Sequence, residues 1–212
     1  MAVTDLTGGV DARQAAAARS DDDRPHLEVV PAAPGARARL VRLLQDAHAG
    51  ELAAAYAYGA HARSLRGRPQ ERAEVYRIEA AEVHHRKLVA EMLVDLGARP
   101  RRRRELLMGA TGRFFGLLCF VTGWFGPMYA AGRLEAMNVD QYRVARDLAA
   151  GLGFDCHRDR LEAMRVEEVR HERWFGDRVR GHWLLPVTRL FLGWTPPPPP
   201  PASEPEPAAI SG

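Results

Sequence analysis

At 212 residues the chain has the length of one domain, and its 46% hydrophobic content is enough for a sizeable core. The formal net charge is only +3, so overall charge points neither to nucleic acid nor to a strongly acidic partner. Cys119 and Cys156, the only two cysteines, make no Cys-x-x-Cys pair and no disulfide framework, which predicts a reducing, cytoplasmic setting. No apolar run follows the first charges, and Asp21, Asp22 and Asp23 argue against a targeting segment.

Residues 1–35 are rich in Ala, Asp, Gly and Pro without periodicity, which predicts a disordered tail. Helical periodicity then runs from Ala36 to Leu65, where Gly67 and Pro69 stop it, and from Gln70 to Leu96, where Gly97 and Pro100 do. A third segment is predicted to begin after Met108 and to continue to about Ala150, ending at Gly151 and Gly153. The fourth runs from Asp155 to Arg180, and a shorter apolar piece follows from Trp183 to Trp194. Prolines 196–201 cannot continue a helix, so residues 195–212 are predicted to form an extended, disordered tail. No segment alternates as a strand does. The expectation is an all-α domain over residues 36–194.

In a bundle, positions spaced alternately three and four apart face the centre. On the first helix that series reads Leu40, Leu44, Ala47, Glu51, Ala54, Tyr58, and on the second Val75, Ile78, Glu82, His85, Val89, Met92, Leu96. The third gives Met128, Ala131, Glu135, Asn138, Tyr142, and the fourth Leu161, Met164, Glu168, His171, Phe175. Each stripe is apolar except near its middle, where it carries a carboxylate, and two of the four add a histidine one turn on.

A lone buried carboxylate is costly, and four at one level require positive charge between them. Two Fe²⁺ ions bring the four positive charges that match Glu51, Glu82, Glu135 and Glu168. Glu-x-x-His puts both groups on one helix face about a turn apart, so His85 and His171 complete the set. One Glu from each of two helices with a Glu-x-x-His from each of the other two is the ligand set of di-iron carboxylate bundles. The predicted fold is therefore a ferritin-like four-helix bundle with a short additional C-terminal apolar helix. Glu79, Glu167 and Glu172 lie at or off the stripe edge, as surface charges or as partners of the ligands. His84 is predicted to be exposed. His48, one turn before Glu51, either hydrogen-bonds a ligand carboxylate or is a structural histidine.

The string His48-Ala49-Gly50-Glu51 resembles the His-Ala-Gly-Glu motif of the demethoxyubiquinone hydroxylases of ubiquinone biosynthesis. Glu82-x-x-His85-Arg86-Lys87, with Leu96-Gly97-Ala98-Arg99-Pro100 after it, is similar to that family's second helix and following loop. The Gly-rich apolar stretch before Glu135, with Tyr142 seven residues on, resembles its third helix, and Glu168-x-x-His171-Glu172 its fourth. The likeness covers residues 40–193. It departs at Gln141, where some members have histidine, at Gly59-Ala60, where Gly-Gln is usual, and in the proline tail. The resemblance implies a di-iron monooxygenase that uses O₂ to hydroxylate a prenylated benzoquinone or quinol ring, with Tyr142 near the substrate.

Phe114 to Gly132 is nineteen residues without a charge, interrupted by glycines and Pro127. We read it as a helix that is part core and part interfacial surface. With the aromatics after Trp183 and the arginines at 99 and 101–104, it predicts a peripheral protein on the inner face of the cell membrane. Its partners are then a lipid-soluble quinone, the membrane surface and an electron donor that the chain does not itself contain, with no nucleic acid; a homo-oligomer is compatible with this. The rival is a rubrerythrin- or ferritin-like peroxide-reducing or iron-handling protein, although no rubredoxin-type cysteine quartet is present. A third reading is a metal-free, membrane-associated scaffold.

Overall fold

A computed structural model describes residues 35–199. Both predicted tails lie outside them, except Gly35 and residues 195–199. Six helices follow in order: α1 Ala36–Ser64, α2 Pro69–Asp95, α3 Arg102–Leu118, α4 Phe125–Gly151, α5 Asp155–Val179 and α6 Leu185–Leu192. No strand occurs among the described residues. The all-α, ferritin-like bundle expected from the apolar stripes is what forms.

Two helical hairpins make the bundle. α1 packs along α2 and α4 along α5, and the pairs meet through α1 against α4 and α2 against α5. Short turns enforce the pairing. Proline opens α2 at its first position, where a missing N–H costs nothing. Every predicted stripe residue is buried except His171 and Asn138, which are partly so. The core forms two apolar layers. One is built around Leu44, Val89, Met92, Tyr142 and Leu161, the other around Tyr58, Ile78, Met128, Tyr129 and Phe175. The carboxylate level lies between them.

The third predicted segment is in fact two helices. It starts earlier than expected, so that Arg102, Arg103 and Arg104 sit in the first turn of α3 rather than in a loop, and it breaks over residues 119–124. Gly123 adopts φ +74° there, a conformation that side-chain-bearing residues rarely reach. Pro127 supplies the second reason, because in a continuous helix its ring would press on the carbonyl of residue 123. Placed third in α4, it sits where an N–H has no partner anyway.

The break lets α3 leave the bundle axis and lie on α1. Gly109, Gly112 and Gly116 form its buried face, and a Cβ on Gly112 would fall 2.4 Å from the Ala53 carbonyl oxygen. The Arg113 guanidinium stacks on Tyr56 of α1, 3.9 Å from the ring centre. The opposite face exposes Leu106, Leu107, Phe114, Phe115 and Leu117. No helix among the described residues is long and apolar enough to cross a membrane.

After α6 the chain returns to the α4–α5 seam. The Trp194 indole presses on Gly132 and donates to Glu172 Oε1 at 2.9 Å. Tyr129 OH donates to the Trp194 carbonyl at 2.8 Å, and Arg180 to the carbonyl of Pro197 at 2.5 Å. The start of the proline segment is thus held against α5, with Pro196 buried.

Because the Gly112 contact is with backbone, G112A must displace α3. We predict a loss of about 1–3 kcal/mol of stability, read as a lower denaturant midpoint at unchanged slope. An unchanged midpoint would show that α3 is not clamped to α1.

Candidate metal centre

All six residues predicted from the stripes meet at one level. Glu51 comes from α1, Glu82 and His85 from α2, Glu135 from α4, and Glu168 and His171 from α5. They form two overlapping groups, Glu51–Glu82–His85–Glu168 and Glu82–Glu135–Glu168–His171, and in each the donor atoms lie within 4.8 Å of one another. Glu82 and Glu168 belong to both groups, which places each between two positions. Both imidazoles turn Nδ1 inward: His85 Nδ1 lies 3.1 Å from Glu168 Oε1 and 3.8 Å from Glu82 Oε2. His171 Nδ1 lies 3.4 Å from Glu82 Oε1 and 3.7 Å from Glu168 Oε2.

The donor set fits divalent metal on an observation independent of spacing. Glu51 Oε2, both oxygens of Glu82, Glu135 Oε2, Glu168 Oε2 and His171 Nδ1 are buried without a hydrogen-bond partner. Such atoms are rare in folded proteins and cost several kcal/mol when uncompensated. Here they converge on one place, and mixed carboxylate–imidazole donors suit a first-row divalent ion.

Protons are the alternative source of positive charge. Burial and the neighbouring Glu82 push the Glu51 carboxyl well above its usual range, and burial with Glu168 and Glu82 does the same to Glu135. Glu82 and Glu168 go the other way. Burial opposes their charge, but the closeness of the neighbouring acids and of both imidazoles outweighs it and lowers them. As carboxylates the four can only accept. With protons on Glu51 and Glu135, each can donate to its charged neighbour.

Burial also disfavours both imidazolium ions, yet hydrogen bonds to Glu167 and Glu168, with the Glu82 carboxylate close by, raise His85 to about 12. The nearby Glu168 and Glu82 carboxylates raise His171 to about 9. Without metal, two carboxylates then balance two imidazolium ions. With two divalent ions, four carboxylates balance them and the imidazoles are neutral. The site is electroneutral either way, and the two states differ by about four protons, one each from Glu51, Glu135, His85 and His171.

Around this set, Glu167 receives His85 Nε2 at 2.7 Å. That contact puts the ring proton on Nε2 and leaves Nδ1 free for a metal. Two tyrosines bind crosswise. Tyr142 of α4 donates to Glu51 of α1, and Tyr58 of α1 donates to Glu135 of α4. Each tyrosine lies seven residues after the ligand carboxylate of its own helix, so each hairpin holds a carboxylate of the other.

His48 does not reach a ligand. Its Nδ1 lies 2.6 Å from Glu105 Oε1 of α3, and Arg86 of α2 meets the other oxygen of Glu105, tying three helices together. Spacing could not announce Glu105, which belongs to no bundle stripe. Glu167 left one sign, an acid immediately before a ligand acid. His84 is exposed, as expected.

A ferritin-like bundle with a buried Glu/His cluster of this kind defines a class of protein that could hold metal at its centre. Within that class, the family model for ubiquinone biosynthesis protein COQ7 matches residues 38–174, a span containing all six cluster residues, and the chain belongs to that family. Comparison with curated proteins and with solved structures gives no match.

Metal uptake at pH 7 is predicted to release about four protons, and affinity to fall as pH drops below the raised imidazole values, because protons then compete for the same atoms. Calorimetric titration in buffers of different ionisation enthalpy counts them; release of one proton or none would contradict the charge assignment. E167Q is predicted to weaken metal binding about 10–100-fold, measured by chelator competition, and equal affinity would show that His85 needs no anchor.

Proposed function

We propose that the six residues hold two iron ions and that the protein hydroxylates a prenylated benzoquinone or quinol ring with O₂. The observation that carries the reading is the convergence of unpartnered carboxylate oxygens and His171 Nδ1 in a chain of the COQ7 family of ubiquinone-biosynthesis hydroxylases. Glu51, Glu82, His85 and Glu168 would hold one ion, and Glu82, Glu135, Glu168 and His171 the other. When bound, the iron pair supplies the oxygen-activating, electron-transferring chemistry that the side chains lack.

The chain's own residues supply position and exclusion of water. Glu167 orients His85. Tyr142, fully buried beside His85 with its ring centre 6.1 Å away, orients Glu51 and is the tyrosine that the family resemblance puts near the substrate. The two apolar layers keep water from the ion level, which strengthens every charge interaction there. They also offer an aromatic ring an environment it prefers to water.

The substrate class fits the outer surface. α3 exposes Phe114, Phe115 and Leu117, and α6 with the turn before it exposes Leu190, Phe191 and Trp183, large apolar side chains of the kind that mark a lipid or partner surface. Arginines at 99 and 101–103 flank the α3 side and are exposed. This supports a peripheral attachment that takes a lipid-soluble quinone from the inner face of the cell membrane. Electrons come from a partner, from the substrate or from an external reductant.

Anaerobic loading should give two irons per chain. The loaded protein, given a short-chain demethoxyquinone, O₂ and reductant, should then yield the hydroxylated ring, followed by mass spectrometry. Rapid peroxide turnover without hydroxylated product would favour the rubrerythrin-like rival, and well under two irons per chain would sink both metal readings.

A further inference from the structure

The apolar layer on the Tyr58 side contains one polar group that the fold leaves without a role. His61 lies on α1, three residues after Tyr58, is only 2% exposed, and its Nε2 has no hydrogen-bond partner. Its ring lies nearly parallel to Phe175, with centres 6.3 Å apart and planes 17° from parallel. Tyr58 stacks on the same phenylalanine at 5.7 Å and 24°. Three flat side chains from α1 and α5 therefore form one aromatic wall, and Tyr58 joins that wall to Glu135.

The polar atoms of the buried tyrosines and of Trp194 in this layer are satisfied. Tyr58 donates to Glu135, Tyr129 to the Trp194 carbonyl, and Trp194 to Glu172. Against that background the orphaned Nε2 stands out, because a buried imidazole nitrogen without a partner carries a desolvation cost that a leucine or phenylalanine would not. Burial also holds His61 down at about 4, so at neutral pH the ring is uncharged, with one N–H and one acceptor nitrogen. A neutral imidazole in an aromatic wall matches a ligand that is itself a flat ring bearing oxygen: its face stacks, and its carbonyl or hydroxyl meets the nitrogen.

We propose that His61 is the substrate-positioning residue of this enzyme, its Nε2 hydrogen-bonding a ring oxygen of the quinone or quinol against the Tyr58–Phe175 wall. The inference rests on the quinone reading above and adds the residue that reads the ring. The contact distinguishes oxygenated rings from hydrocarbons of the same shape, since only the former satisfy the nitrogen.

The test uses binding, which needs no loaded metal. Trp174 lies 4.9 Å from Phe175 and Trp194 belongs to the same layer, so quenching of tryptophan fluorescence by a short-chain demethoxyquinone reports occupancy of the wall. H61L should weaken quinone binding roughly tenfold, the worth of about one hydrogen bond. H61Q, which keeps an N–H donor, should stay within about threefold of wild type on the same scale. A prenylated benzene without ring oxygens should bind all three proteins equally. In the iron-loaded enzyme, H61L should raise KM for the quinone by a similar factor while iron content is unchanged.

H61L should also melt no lower than wild type, because it replaces an unsatisfied polar atom by an apolar one. Equal quinone affinity in H61L and wild type overturns the assignment. So does a loss shared equally by quinone and hydrocarbon, which would make His61 a packing residue. If wild type binds no quinone at all, the functional reading falls and this inference falls with it.

Discussion

Four carboxylates buried at one level of a helical bundle repel one another and have lost their water, and the rest of the structure is arranged around that constraint. The repulsion cannot be relieved by exposure, because Leu, Met and Phe layers close the bundle on both sides of the charged level. It is relieved by positive charge, supplied either by protons shared among the acids and two imidazoles or by two divalent ions. The electroneutrality of both states keeps the fold compatible with each. A divalent metal entering the cluster would therefore replace protons rather than simply add charge.

The two hairpins repeat one plan, a carboxylate on the first helix and Glu-x-x-His on the second, and the crosswise tyrosines lock each hairpin to the other's carboxylate. Their surroundings differ. On the α1–α2 side, His85 is fully buried and anchored by Glu167, and the Glu105–His48–Arg86 tie holds α3 in place. On the α4–α5 side, His171 keeps 14% of its side chain accessible, and the returning segment at Trp194 covers the seam. The two Glu/His groups therefore sit in unequal environments, one closed and one with partial access to solvent.

The outer face follows from the same economy of small residues. Glycines at 109, 112 and 116 let α3 approach the α1 backbone directly, so its large apolar side chains have nowhere to go but outward. Exposed apolar side chains of this kind mark a surface suited to contact with another apolar surface.

Much of this was legible in the chain. The stripe positions, the helix stops and the coming together of Glu51, Glu82, His85, Glu135, Glu168 and His171 follow from the helical period and from the cost of burying unpaired charge, both of which act along a single helix. The break at 119–124 was less legible, since an apolar run that continues in composition hid the joint effect of Gly123 and Pro127. Contacts between distant segments were not legible at all. That Glu167 reaches His85, that His48 turns to Glu105 and not to a ligand, that Tyr58 and Tyr142 cross over, and that Trp194 folds back onto Gly132 all depend on how helices dock. Periodicity says which face of a helix is buried, but only the packed structure decides which side chain of a neighbouring helix meets it there.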